Sequence, residues 1–165
     1  MTLRMKTADM EKMLHEVVAL DKKLNCTLWG VIMKSNGELL KNNLPIGMAV
    51  GAVLGVVMAG AVGGAMGALS NIYCYIGCTD TSIHIVCIHS FDVSKVKAVI
   101  TIPYNEISSI KIKRSLIPGG HIILIRCFQN SRLKISVMNN SIGTDMKNQK
   151  ENAHKFFDIL SNVRV

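Results

Sequence analysis

The sequence predicts a mainly β domain of the α+β class, on three observations. Beyond residue 71 the apolar residues keep a period of two through six short runs, each closed by turn residues. An amphipathic stretch with helical spacing stands near either end of the chain. Between the first strand-like run and the other six lies a segment of a different kind, residues 44–69, LPIGMAVGAVLGVVMAGAVGGAMGAL.

Residues 8–24 read as the first helix. Met10, Met13, Leu14, Val17, Val18 and Leu24 recur at helical spacing, with Lys12, Glu16, Asp21 and Lys22 off that stripe. Thr7 is placed to cap it, and Asp9 and Glu11 fall in the first turn, where the helix dipole favours acids. The stripe is suited to core packing, and the mixed charges opposite it argue against a membrane-surface helix. Residues 27–34 follow as a strand containing Trp29, the one tryptophan, and Ser35, Asn36 and Gly37 end it with turn chemistry. After the 44–69 segment come strands at 72–78, 83–88, 96–102, 107–114, 121–128 and 132–138, seven in all with the first. A closing helix at 149–162 places Ala153, Phe156, Phe157, Leu160 and Val163 on one side.

The 44–69 segment has 26 residues, no charge and seven glycines: Gly47, Gly51, Gly55, Gly60, Gly63, Gly64 and Gly67. Fourth-residue spacing of small residues gives a helix a smooth strip on which another helix can approach closely. Each interior glycine costs a helix about 1 kcal/mol against alanine. So many glycines therefore imply packing against itself, copies of itself or lipid. The segment is long enough to cross a bilayer, since about 20 apolar residues suffice.

Net charge is +8, and residues 82–140 carry eight Lys or Arg against only Asp92 and Glu106. That bias points to an anionic partner. Strand alternation turns Ile110, Ile112, Leu133, Ile135 and Val137 inward. It turns Lys111, Lys113, Arg132 and Lys134 outward as a basic face, which Arg114 and Arg126 are expected to extend. With only eight Phe, Tyr or Trp there is no aromatic platform for bases, so no nucleic acid is expected.

The five cysteines, Cys26, Cys74, Cys78, Cys87 and Cys127, sit in apolar runs without a CxxC pair, as buried reduced thiols would. Cys74 and Cys78, four apart on one strand, would lie about 13 Å apart, too far to share a metal. GxSxG, HExxH and P-loop patterns are missing, and His84, His89 and His121 lack an acid–nucleophile pair. Asp80 near His84 reads as a turn residue. No enzyme activity, metal or cofactor is expected. The opening MTLRMKTADMEKM lacks the apolar core of a signal peptide.

Seven antiparallel strands and one C-terminal helix make the layout of the pleckstrin-homology-like (PH-like) barrel. TDTSIHIV (79–86), ITIPYNEISSIKI (100–112) and KNQKENAHKFFDIL (147–160) resemble the bacterial members of that superfamily. The resemblance covers residues 26–33 and 71–163. It implies a non-catalytic docking module for anionic lipids, peptides or proteins. The domain would then span 26–163, preceded by the helix within 1–25, with 44–70 inserted between its first two strands.

Those two strands are antiparallel neighbours in such a barrel, so both ends of the insertion should lie close together. A single span would put them about 30 Å apart. A glycine-rich helical hairpin resolves the conflict, with arms near 45–58 and 60–69. Each arm reaches only roughly 15–21 Å.

Two functional readings follow. In the first, a membrane-associated anchor on the cytoplasmic face docks its basic barrel on anionic lipid while the hairpin inserts or oligomerises. In the second, the chain is part of a larger assembly that shields the hairpin until it meets a host membrane. That second design is similar to the hydrophobic hub-associated proteins of contractile phage tails and tail-like bacteriocins.

Overall fold

The computed structural model describes residues 5–18, 22–33, 71–89, 92–128, 132–140 and 144–163. The glycine-rich stretch, its seven glycines and the predicted hairpin lie outside the described residues. In chain order the elements are α1 (Thr7–Val17), β1 (Cys26–Met33), β2 (Asn71–Cys78), β3 (Ser82–His89), β4 (Asp92–Pro103), a 3-10 turn (Tyr104–Glu106), β5 (Ile107–Arg114), β6 (Gly120–Cys127), β7 (Arg132–Met138) and α2 (Gln149–Asn162). The strands form one seven-stranded antiparallel sheet in the order β4-β3-β2-β1-β7-β6-β5, open between its edge strands β4 and β5. This is the mainly β architecture that the alternation predicts.

Both faces of the sheet are used. All seven strands contribute to one core, where Leu28, Ile76, Ile85, Ile102, Ile107, Ile125 and Ile135 close around Ala153, Phe156 and Leu160 of α2. On the opposite face α1 lays Met10, Met13 and Leu14 over Trp29, Tyr75, Val86 and Ile88. Strand β3 is covered from both sides and is buried from Ser82 to Ile88 without alternation. Gly77 permits the close seating of α1. A Cβ there would stand 2.7 Å from Leu24 Cδ2 and 3.1 Å from Leu14 Cδ2.

Three local expectations are corrected. Helix α1 stops at Val17 rather than at residue 24, because Val18 turns extended while its N–H still bonds Leu14 O at 2.9 Å. Leu24 reaches the same face from outside the helix. Thr7 lies inside α1 and does not cap it. Its Oγ1 donates to Asp145 O (3.2 Å) and accepts from Lys147 N–H (2.8 Å), tying the helix to the approach of α2. Strand β4 begins at Asp92 rather than at 96, because register shifts at Ile88 and His89 let polar residues continue the pairing with β3.

The two halves of the sheet meet along a short seam. Strands β1 and β7 share only the pairs Val31↔Ser136 and Ile32↔Ile135. Gly30 sits where they part, and a methyl group there would stand 3.1 Å from Ile135 Cγ2, Ile76 Cδ1 and Ser136 O. Beyond it the buried Gln149 fills the gap. Its Oε1 accepts from Trp29 N–H (3.1 Å), and its Nε2 donates to Trp29 O (3.0 Å) and Met138 O (2.9 Å). The side-chain amide thus continues the ladder that the strands no longer make. Gln149→Ala would strand three backbone groups, two of them in buried bonds at Trp29. The expected loss is about 3 kcal/mol of unfolding free energy, read by urea titration. A loss below about 0.5 kcal/mol would show that the amide does not hold the seam.

Candidate basic interface

Cross-strand register assembles the basic face. In the sheet segment β5-β6-β7, Lys111 pairs Leu124 and Leu124 pairs Lys134. One row along, Lys113, Ile122 and Ser136 align, and in the other direction Ser109, Arg126 and Arg132 align. Directly opposed residues share a side of an antiparallel sheet. Lys111, Lys113, Arg126, Arg132 and Lys134 therefore stand on one face, with Ile122, Leu124 and Ser136 between them. Ile110, Ile112, Leu133, Ile135 and Val137 of the same strands point the other way, toward α2. The face is the one that α1 covers further along, since Ser136 also pairs Val31, which packs beneath α1.

Lys111, Lys113, Arg126 and Arg132 are exposed and Lys134 is half-buried. Arg126 and Arg132 are direct register partners, a like-charge pair that works against the sheet. No acid occurs between Ile107 and Thr144, and among the described residues none of the five cations makes an ion pair. Arg114 departs from the expected set. It pairs His121, which places it on the other side of β5, toward α2. There burial pushes the His121 pKa down, and the charges of Arg114 and His154 push it further. The His121 ring packs at a tilt against Phe157 of α2, with ring centroids 4.6 Å apart.

Two features that sequence reasoning missed come from strand pairing. Cys26 and Cys78 are register partners, and so are Cys74 and Cys87. All four thiols are buried and free. Burial raises Cys74 well above the usual thiol range and pushes Cys87 to about 12, so neither is poised as a nucleophile. Cys26 is the exception, its pKa lowered chiefly by a hydrogen bond from the Cys78 thiol. No cluster of three metal-ligating side chains occurs among the described residues. Asp80 accepts from Asn25 Nδ2 at 2.6 Å in its turn. His84 faces Thr101 instead, with Nδ1 and Thr101 Oγ1 3.1 Å apart.

His84 supplies a pH test of the buried sheet. Its pKa lies below 6.5, first through burial and then through the charge of Lys22, and Nε2 has no partner among the described residues. Below the unfolded value of 6.5 the unfolded chain binds a proton that the folded chain resists. Stability is thus fully present above 6.5 and falls as pH drops toward the depressed folded value. His121 acts in the same direction. Thermal melts between pH 7.5 and 5 should show this decline, with a shallower slope for His84→Gln.

No protein-family model matches the chain, and neither does any curated protein. Its fold is similar to that in a crystal structure of the C-terminal domain of an unknown protein from Leishmania infantum. The TM-score is 0.50 at 10% sequence identity, over 91% of this chain and 97% of that one. At that identity the likeness extends to the fold alone: a seven-stranded, mainly β domain with two helices.

Proposed function

We propose that this protein is a non-catalytic, membrane-associated anchor. Its PH-like domain docks on anionic lipid through Lys111, Lys113, Arg126, Arg132 and Lys134, and its glycine-rich segment inserts or oligomerises. The observation that carries this reading is the set of five cations brought to one face by register, with no acid among them. Repulsion between Arg126 and Arg132 counts against stability, so the arrangement favours an external anion as its counter-charge. Near a membrane each such cation contributes about 1 kcal/mol, and salt screens it.

The roots of the glycine-rich segment support the attachment. Met33 and Asn71 are register partners, as a hairpin anchored at one strand end requires. Among the described residues no helix is long and apolar enough to cross a membrane.

Flotation with phosphatidylserine-containing vesicles at low and high salt tests the reading. The double reversal Lys111→Glu with Arg132→Glu should weaken low-salt binding at least about tenfold. Relief of the Arg126–Arg132 repulsion should raise the melting temperature of the same variant, separating docking from folding. Deletion of residues 44–69 should remove most of the flotation that resists high salt. If the intact chain never floats, the membrane reading fails and a structural place in a larger assembly takes over.

A further inference from the structure

The β5–β6 connection puts two adjacent large apolar side chains in water. Leu116 is 104% exposed and Ile117 is 58% exposed. A turn that only reverses the chain has no use for them, because polar and small residues serve that purpose better.

Part of the backbone beneath them is bonded within the protein. Ser115 N–H donates to Gly120 O at 2.9 Å, and Gly120 N–H donates to Ile117 O at 3.0 Å. Ser115 Oγ accepts from Ile117 N–H at 3.2 Å. Asn139 N–H donates to Gly119 O at 2.8 Å. Pro118 has no N–H to lose from water, and Gly119 at φ 75° completes a type II turn. These bonds lower the cost of seating the tip at the headgroup boundary, where its remaining backbone groups still meet water and headgroups.

Charge and size choose the occupant. Lys113 stands at the root of the tip on one side of β5, and Arg114 stands on the other. Both are exposed, and no acid lies within the hairpin. Two side chains are far too small a patch for a specific protein interface, which buries about 800 Å² on each partner. A bilayer accepts small insertions beside a ring of cations whose apolar stems lie along the acyl boundary.

We propose that Leu116 and Ile117 enter the headgroup–acyl boundary of an anionic bilayer, with Lys113 and Arg114 on the headgroup phosphates at the root. This rests on the membrane reading above and adds a named point of entry. Lys113 belongs to both the root and the basic face, so the two surfaces are continuous. Arg114, which alternation removes from that face, finds its place at the tip.

The full-length chain carrying Ile117→Trp tests it. Trp29 lies buried beneath α1 and gives a constant background. On vesicles of mixed phosphatidylcholine and phosphatidylserine the introduced indole should shift its emission to the blue and be quenched by brominated acyl chains. A second full-length variant, Leu116→Ser with Ile117→Ser, should lose binding by about tenfold for each side chain removed. Wild type that floats while the indole neither shifts nor quenches, or while the double-serine variant binds unchanged, overturns the tip and leaves the membrane reading intact. An equal blue shift on phosphatidylcholine alone overturns the role given to Lys113 and Arg114. Wild type that does not float overturns both.

Discussion

The fold depends on how β1 and β7 are joined. Two register pairs hold them, after which Gln149 inserts its amide between Trp29 and Met138 and makes the bonds that a strand would make. Since β2, β3 and β4 hang from β1, and β6 and β5 from β7, that seam is, among the described residues, the sole sheet connection between four strands and three. A buried amide with both ends satisfied is well suited to the task. It matches a peptide group in polarity and leaves no orphaned donor or acceptor. Its place at the first residue of α2 also fixes the start of the helix that fills the core.

From that seam the two faces acquire different roles. The face toward α2 gathers aliphatic residues from all seven strands. The other face is divided: α1 covers the part built from β1, β2 and β3, while the part built from β5, β6 and β7 carries cations. Aliphatic Ile122 and Leu124 between those cations stay half-buried under the long side chains around them. A sheet surface with opposed arginines and no carboxylates is a poor solution for stability alone. It becomes intelligible if an anionic surface supplies the missing charge. The exposed leucine and isoleucine at the β5–β6 tip are similarly costly in water and useful at a lipid boundary.

The cysteines illustrate the opposite case, side chains that invite a functional explanation and have a sufficient structural one. Four of them meet as cross-strand partners in the core, where a thiol behaves as a small apolar group. Desolvation keeps Cys74 and Cys87 protonated. The hydrogen-bonded Cys26 and Cys78 extend to Tyr104, whose hydroxyl donates to Thr79 O at 2.8 Å and locks the β2–β3 turn to the passage from β4 to β5.

Local pattern was enough for the seven strands, both helices and the inward and outward assignment of IKIKR and RLKIS. Side-chain period depends only on near neighbours along the chain. It was enough, too, for the basic character of the last three strands. Only the tertiary structure decided which cations stand together. Arg114, next to Lys113 on β5, leaves the face by the same alternation that a strand imposes, whereas Arg126 joins it because it opposes Arg132. The same holds for the cysteine pairs, for Thr7 bonding a distant loop instead of its own helix, and for Gln149, which reads as an ordinary polar residue at a helix start. Each of these depends on a partner far away in sequence. Periodicity says which side of a strand a residue occupies, but not which residue of another strand lies opposite.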